Sequence, residues 1–231
     1  MMKKFLMGLV IVISLIVLVG GSNAATINID FQNPTILTKI YNGQGVLGSG
    51  TYWNAVGHSG ATNLLDDAGN PTGVGVDPSL IQNYANAIPP GDALLADRII
   101  FGPDPGTVLI SGLTANSYFD IAAYNGFYSQ KYSIAGQGVI PAESTSIQSA
   151  NLNYDNFGSW VEGTHYVILE NALSDGNGQI TLNIESSPSF NYGEAITIAG
   201  LQISQVPVPA AVWLFGSGLV GLAGFRRSRN A

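Results

Sequence analysis

Apolar and polar residues alternate one for one over short stretches in the middle of this chain. Thr26-Ile27-Asn28-Ile29-Asp30-Phe31 puts Ile27, Ile29 and Phe31 on one face and Thr26, Asn28 and Asp30 on the other. That is the period of a β-strand whose faces meet different surroundings. The same alternation recurs over residues 107–111, 117–124, 131–134, 165–169, 179–184 and 195–203. Between the runs stand Gly112-Leu113-Thr114-Ala115-Asn116 and Asp175-Gly176-Asn177-Gly178. Such residues favour turns, because glycine accepts positive φ and Asn or Asp side chains bond the local backbone. Many short strands separated by turn chemistry predict an all-β fold, an antiparallel β-sandwich. Helical signals are few. Residues 77–87 predict a short helix stopped by Pro89-Pro90, and residues 93–98 a further turn leading into Ile99-Ile100-Phe101. No fixed repeat and no linker divides the body, so residues 25–205 read as one domain.

The two ends follow a different pattern. Met1-Met2-Lys3-Lys4 precedes an unbroken apolar run over residues 5–19, and Gly20-Gly21-Ser22-Asn23-Ala24 comes after it. A positive start, an apolar core and small residues at Ser22 and Ala24 make residues 1–24 a secretory signal peptide, cleaved after Ala24. At the other end, Val206-Pro207-Val208-Pro209 leads into an apolar run over residues 210–225, then Arg226-Arg227-Ser228-Arg229. As a helix this run covers about 24 Å, somewhat less than a bilayer core of ~30 Å. Flanking arginines can snorkel, and Trp213 suits the opposite interface, so a short transmembrane helix is expected with its basic end in the cytoplasm.

A proline-rich motif, an apolar span and a basic cluster in this order resemble the PEP-CTERM sorting signal of Gram-negative bacteria. The stretch from Val206 to Gly218, opening Val206-Pro207-Val208-Pro209-Ala210, looks most like the VPLPA subtype. Val208 stands where the name-giving motif has glutamate, a change that subtype permits. The resemblance covers residues 206–231. It implies export, recognition by an exosortase near Pro207–Ala210, transient residence in the inner membrane, and a host that makes exopolysaccharide. The sorting residues it implies are Val206, Pro207, Val208, Pro209, Ala210, Arg226, Arg227 and Arg229.

Composition then changes the picture of the body. The whole chain carries 8 basic and 15 acidic groups, a net charge of −7, and no cysteine. Five of the basic groups lie in the terminal segments. Only Lys39, Arg98 and Lys131 remain between residues 25 and 206 against all 15 acids, which leaves −12. A body of that charge excludes nucleic acid and anionic lipid as partners. The missing cysteines exclude disulfides, thiolate metal sites and thiol catalysis.

The body resembles galactose-binding-like jelly-roll domains. Asn28-Ile29-Asp30-Phe31 opens it, Tyr52-Trp53-Asn54 and Leu65-Asp66-Asp67-Ala68-Gly69-Asn70-Pro71 come next, and Asp175-Gly176-Asn177-Gly178-Gln179-Ile180 closes it. Gly112-Leu113-Thr114-Ala115-Asn116 also looks like a fibronectin type III turn. The jelly roll fits better, since the body is about twice the length of a fibronectin module.

Candidate chemistry is thin. Gly57-His58-Ser59-Gly60-Ala61 lacks the last glycine of a nucleophile elbow, and the other histidine, His165, sits on an expected strand. Glu143, Glu162, Glu170, Glu185 and Glu194 could pair for glycoside hydrolysis, but no motif singles one out. Asp66, Asp67, Asn70, Asp175 and Asn177 offer hard oxygens of the kind a structural Ca²⁺ prefers, although such residues also simply build turns. Trp53, Asn54 and Trp160 combine rings with amides, the pairing that binds a sugar's C–H face and hydroxyls. The expected product is a non-enzymatic envelope or extracellular-matrix protein without a cofactor, associating with exopolysaccharide at the cell surface. A purely structural or adhesive matrix protein and a carbohydrate-active hydrolase are the alternatives.

Overall fold

The computed structural model describes residues 25–32, 40–79, 83–86, 94, 97–102, 105–125, 130–137, 142–144, 160–186 and 196–207. Residues 1–24, expected to form a signal peptide cleaved after Ala24, and the tail from Val208 onward with Pro209, Ala210, Arg226, Arg227 and Arg229, lie outside them. So do the apolar runs at 5–19 and 210–225; among the described residues no helix is long and apolar enough to cross a membrane. Backbone contacts set Ala25–Val206 apart as one compact unit.

Among the described residues, twelve strands build this unit: β1 (Thr26–Phe31), β2 (Asn54–Val56), β3 (Gly75–Ser79), β4 (Asn83–Asn86), β5 (Asp97–Gly102), β6 (Gly106–Ser111), β7 (Tyr118–Asn125), β8 (Gln130–Ile134), β9 (Ala142–Ser144), β10 (Tyr166–Leu173), β11 (Ile180–Ser186) and β12 (Ile196–Gln205). They form two sheets. The first runs β10-β7-β12-β1-β2, with β5 pairing the start of β12 and β4 pairing β5; the second runs β3-β6-β11-β8-β9. Every pairing between these strands is antiparallel except β1 with β2. The fold is an all-β, two-sheet sandwich.

The alternation in sequence sets the inner faces. Ile27, Ile29 and Phe31 of β1 meet Phe119, Ile121 and Ala123 of β7 and Val108, Ile110, Leu182 and Ile184 of the second sheet in one buried core. Two of the three register shifts among the described strands reset which side chains face the core. Pairing slips between Ile198 and Gly200 on β12, and between Leu169 and Ala172 on β10, where Asn171 takes φ 57. Each extra residue turns the next apolar positions back to the core, so Ile196 and Ile198 are joined there by Leu201 and Ile203. At the end of β12 the Val206 N–H bonds Tyr118 O at 2.9 Å. Pro207 has no N–H and ends the ladder.

Where the helix expected over residues 77–87 falls on described residues, strands stand in its place. Asp77 and Pro78 belong to β3, and Asn83–Asn86 form β4 against β5. The apolar spacing there fits a helix locally, but pairing with β6 and β5 overrides a weak local preference. Pro78 is tolerated because β3 is an edge strand and needs no second ladder.

Tyr132 of β8 lies wholly inside the core, and its hydroxyl has no hydrogen-bond partner. Burial pushes its ionisation far up. Such a group costs stability instead of adding to it. Tyr132→Phe is therefore expected to leave stability unchanged or raise it by up to about 1 kcal/mol, measured by chemical denaturation.

Candidate functional site

The polar side of β1 does not face water. Residues 40–53 cross over the outer face of the first sheet and cover it. Thr26, Asn28 and Asp30 of β1, Tyr124 of β7 and Gln202 of β12 are all buried. Gln202 organises the contact. Its Oε1 accepts from Val46 N–H at 2.7 Å, Leu47 N–H at 2.8 Å and the Tyr124 hydroxyl at 2.6 Å. Its Nε2 donates to Asn28 Oδ1 at 2.7 Å and Leu47 O at 2.8 Å. Asn28 passes the chain of bonds on to Tyr52 O at 2.8 Å. Gly45 is required here, because a Cβ would collide with the Gln202 side chain.

An aromatic cluster grows on this base. Trp53 stands edge-on to Tyr41 and Tyr124, with centroids 5.1 Å and 5.8 Å away, and its indole N–H bonds Gly43 O at 2.9 Å. Trp160 stands edge-on to Tyr124 at 5.0 Å, Tyr41 at 6.1 Å and His165 at 6.2 Å. Its N–H bonds Gln44 O at 3.1 Å. Small residues Ala122 and Ala199 beneath leave room for these rings. Burial raises the ionisation of Tyr41, Tyr124 and Tyr166, and lowers that of His165. All three phenols therefore stay neutral at ordinary pH, as does His165.

This geometry separates the two candidate tryptophans. Trp53 is only 3% exposed and cannot offer a ring face to a sugar. Its expected role as a ligand platform is corrected: it packs the underside of the 40–53 crossover. Asn54 is likewise committed. Its Nδ2 donates to Asn28 O at 2.9 Å and Leu65 O at 2.8 Å, and its Oδ1 accepts from Leu65 N–H at 2.9 Å. Trp160, Tyr41 and Tyr166 remain partly exposed at the rim, and Ile40 and Val161, chain neighbours of Tyr41 and Trp160, are exposed.

The acidic turns are two copies of one device. Asp66 Oδ1 accepts from the N–H groups of Ala68 and Asn70 at 3.0 and 2.7 Å. Asp175 Oδ1 accepts from those of Asn177 and Gln179 at 2.9 and 2.8 Å. In both, the Asp N–H bonds the carbonyl four residues on, and a glycine in the left-handed region, Gly69 (φ 86) or Gly178 (φ 72), closes the loop. These are turns with a bulge glycine, headed by an acceptor side chain. The Asn70 backbone N–H, with other donors of the same turn, holds the Asp66 carboxyl below its ordinary range. The Asn70 side chain also closes on its Oδ2 at 3.1 Å. Asp66 is thus saturated by N–H donors, Asn70 serves the same turn, and the Asp67 N–H bonds Thr26 O of β1 at 2.7 Å. Among the described residues no three His, Asp or Glu side chains stand together as a metal site.

His58 and Ser59 are exposed on the Gly57–Gly60 turn, while His165 Nδ1 accepts the Val161 N–H at 2.9 Å within its own turn. Glu170 projects from β10 of the first sheet and Glu185 from β11 of the second, both exposed.

No protein-family model matches the chain, and no curated protein matches it. Among solved structures, the ANX1 ectodomain from Arabidopsis thaliana resembles it at 11% identity and a TM-score of 0.44, covering 79% of this chain and 48% of that one. The ANX2 ectodomain from the same plant does so at 12% identity and a TM-score of 0.43, covering 79% and 50%. The chain spans about half the length of these proteins.

Sequence reasoning misses Asn28, Tyr41, Tyr124 and Gln202, the residues that hold the site. Alternation alone places Asn28 and Gln202 on a solvent face. The sequence signal of a close approach is the run of glycines at 43, 45, 48 and 50, where a Cβ would meet Tyr41, Gln202, Thr26 and Asp67 in turn.

Proposed function

We propose that this protein is an exported envelope or extracellular-matrix component that contacts exopolysaccharide without altering it chemically. The observation that carries the reading is the rim of partly exposed rings, Trp160, Tyr41 and Tyr166, fixed from below by Trp53 and Tyr124. Rings held at fixed angles lose little entropy when a sugar's C–H face packs on them. The acidic body favours a neutral polymer over a polyanion. The scattered placement of Glu170, Glu185 and both histidines supports a binding role over hydrolysis. The jelly-roll reading draws support from the sandwich, whose β6–β7 and β10–β11 connections pass from one sheet to the other.

The test is retention of the full chain on the exopolysaccharide of the producing cells. Trp160→Ala is expected to reduce retention by about tenfold or more, the effect of losing one stacking ring, with secondary structure unchanged by circular dichroism. Retention that is absent, or indifferent to Trp160, leaves a structural matrix protein instead.

Export completes the reading. Signal peptidase removes residues 1–24, the tail holds the chain in the inner membrane of a Gram-negative cell, and an exosortase cuts near Pro207–Ala210. Replacing Pro207 and Pro209 with alanine is expected to block tail removal, read as the mass of the mature protein. Normal processing of that variant would sink the sorting assignment.

A further inference from the structure

We propose that the cleft at the end of the sandwich, between the β6–β7 and β10–β11 connections and the turn after β8, is a subsite for one neutral sugar residue. It rests on the polysaccharide reading only for the polymer that supplies the sugar. The cleft measures ≈ 330 Å³, within the range of small-ligand pockets.

The walls are built from main-chain and side-chain bonds. Asn116 N–H bonds Asp175 O at 3.2 Å, and Leu113 N–H bonds Gly178 O at 3.0 Å. Ser174 Oγ donates to Thr114 O at 2.6 Å and accepts from Ser117 N–H at 3.0 Å. On the other side the Gln137 amide pairs with both backbone groups of Leu173, accepting its N–H at 2.9 Å and donating to its carbonyl. Both sheets are therefore clamped at this end.

What remains for a ligand is a second set of groups. Asn116, Asp175, Gln179 and Thr181 line the cleft, and among the described residues none of their side chains is used up as Gln137 and Ser174 are. Ile134 and Leu173 supply an aliphatic surface, Leu173 being 37% exposed. A sugar has the matching pair of characters, an apolar C–H face and hydroxyls that both donate and accept. A carboxylate accepts from one hydroxyl while an amide N–H donates to its neighbour. An anion would meet Asp175 with no cation lining the cleft to balance it.

The two acidic turns give an internal comparison. At Asp66 the residue four positions on is Asn70, whose side chain occupies Oδ2, and Asp66 is 8% exposed. At Asp175 the same position holds Gln179; Oδ1 alone caps the turn, and Asp175 is exposed on the cleft wall. The second oxygen of Asp175 is spare to the fold.

The test uses the full chain in detergent micelles with the methyl glycosides of glucose, galactose and mannose, read by saturation-transfer NMR. At least one glycoside is expected to bind. Asp175→Asn, Asn116→Gly and Thr181→Val should each weaken it about three- to tenfold, the effect of losing one hydrogen bond. The Asn side-chain oxygen still accepts both turn N–H groups, and glycine suits the φ of 51 at position 116, so an unchanged Tm checks that each variant is folded. Absence of glycoside binding, or binding indifferent to all three changes, overturns the cleft. If polysaccharide retention still depends on Trp160 in that case, the broader reading stands without it. Glycoside binding that fails in the three variants, with no retention of polysaccharide, upholds the cleft and removes the broader reading.

Discussion

Gln202→Leu is expected to lower the free energy of unfolding by about 3–4 kcal/mol, although leucine has nearly the same volume and is more apolar. The side chain serves five bonds, and its loss strands the Leu47 N–H, the Tyr124 O–H and Asn28 Oδ1 beneath the crossover. A buried polar group left without a partner costs about 1–3 kcal/mol, while relaxation and the gain in apolar contact recover part of the total. Tyr124 keeps its bond to Val46 N–H at 2.9 Å, which limits the loss. Denaturant unfolding gives the number, and amide exchange at Val46 and Leu47 locates it, because these protons should lose protection before the strands do. A loss under about 1 kcal/mol, the worth of a single ordinary hydrogen bond, would mean that the 40–53 crossover does not depend on this amide.

Trp53→Ala is expected to cost about 3–5 kcal/mol, the range for deleting a buried aromatic side chain. The indole fills the space between Tyr41 and Tyr124 and bonds Gly43 O, so its removal opens a cavity and frees a carbonyl together. Trp53→Phe should recover most of the packing but not the bond. Trp160 provides the contrast. Trp160→Ala, partly exposed, is expected to cost less stability and more binding. If both substitutions behaved alike in stability, the division between a packing tryptophan and a surface one would be wrong.

Gln202 and Trp53 are both unremarkable in the sequence. Gln202 sits in Ala199-Gly200-Leu201-Gln202-Ile203, where strict alternation reads it as a solvent-facing polar residue. Locally the alternation holds, since Leu201 and Ile203 do face the core, but the bulge between Ile198 and Gly200 breaks it along the strand. What it omits is that a strand has two faces, and a loop distant in sequence can cover the second. The same limit explains residues 77–87, where a helical spacing is overruled by pairing partners that lie elsewhere in the chain. It also explains Trp53 and Trp160, which have similar Asn- and Gly-containing surroundings but differ in burial.

The sequence by itself determined the all-β class, the positions of most strands, the inner face of β1, and the turns headed by Asp66 and Asp175. Those features come from forces local along the chain: period-two alternation, glycine's freedom at positive φ, and an Asp side chain reaching its own backbone. Only the tertiary structure decided which polar groups are buried, which tryptophan reaches the surface, and that Asn116, Asp175 and Thr181 share one cleft. The physical reason is that burial and cleft formation depend on pairs far apart in sequence, as Gln202 and Val46 are, and no local pattern encodes which distant segment arrives to cover a face.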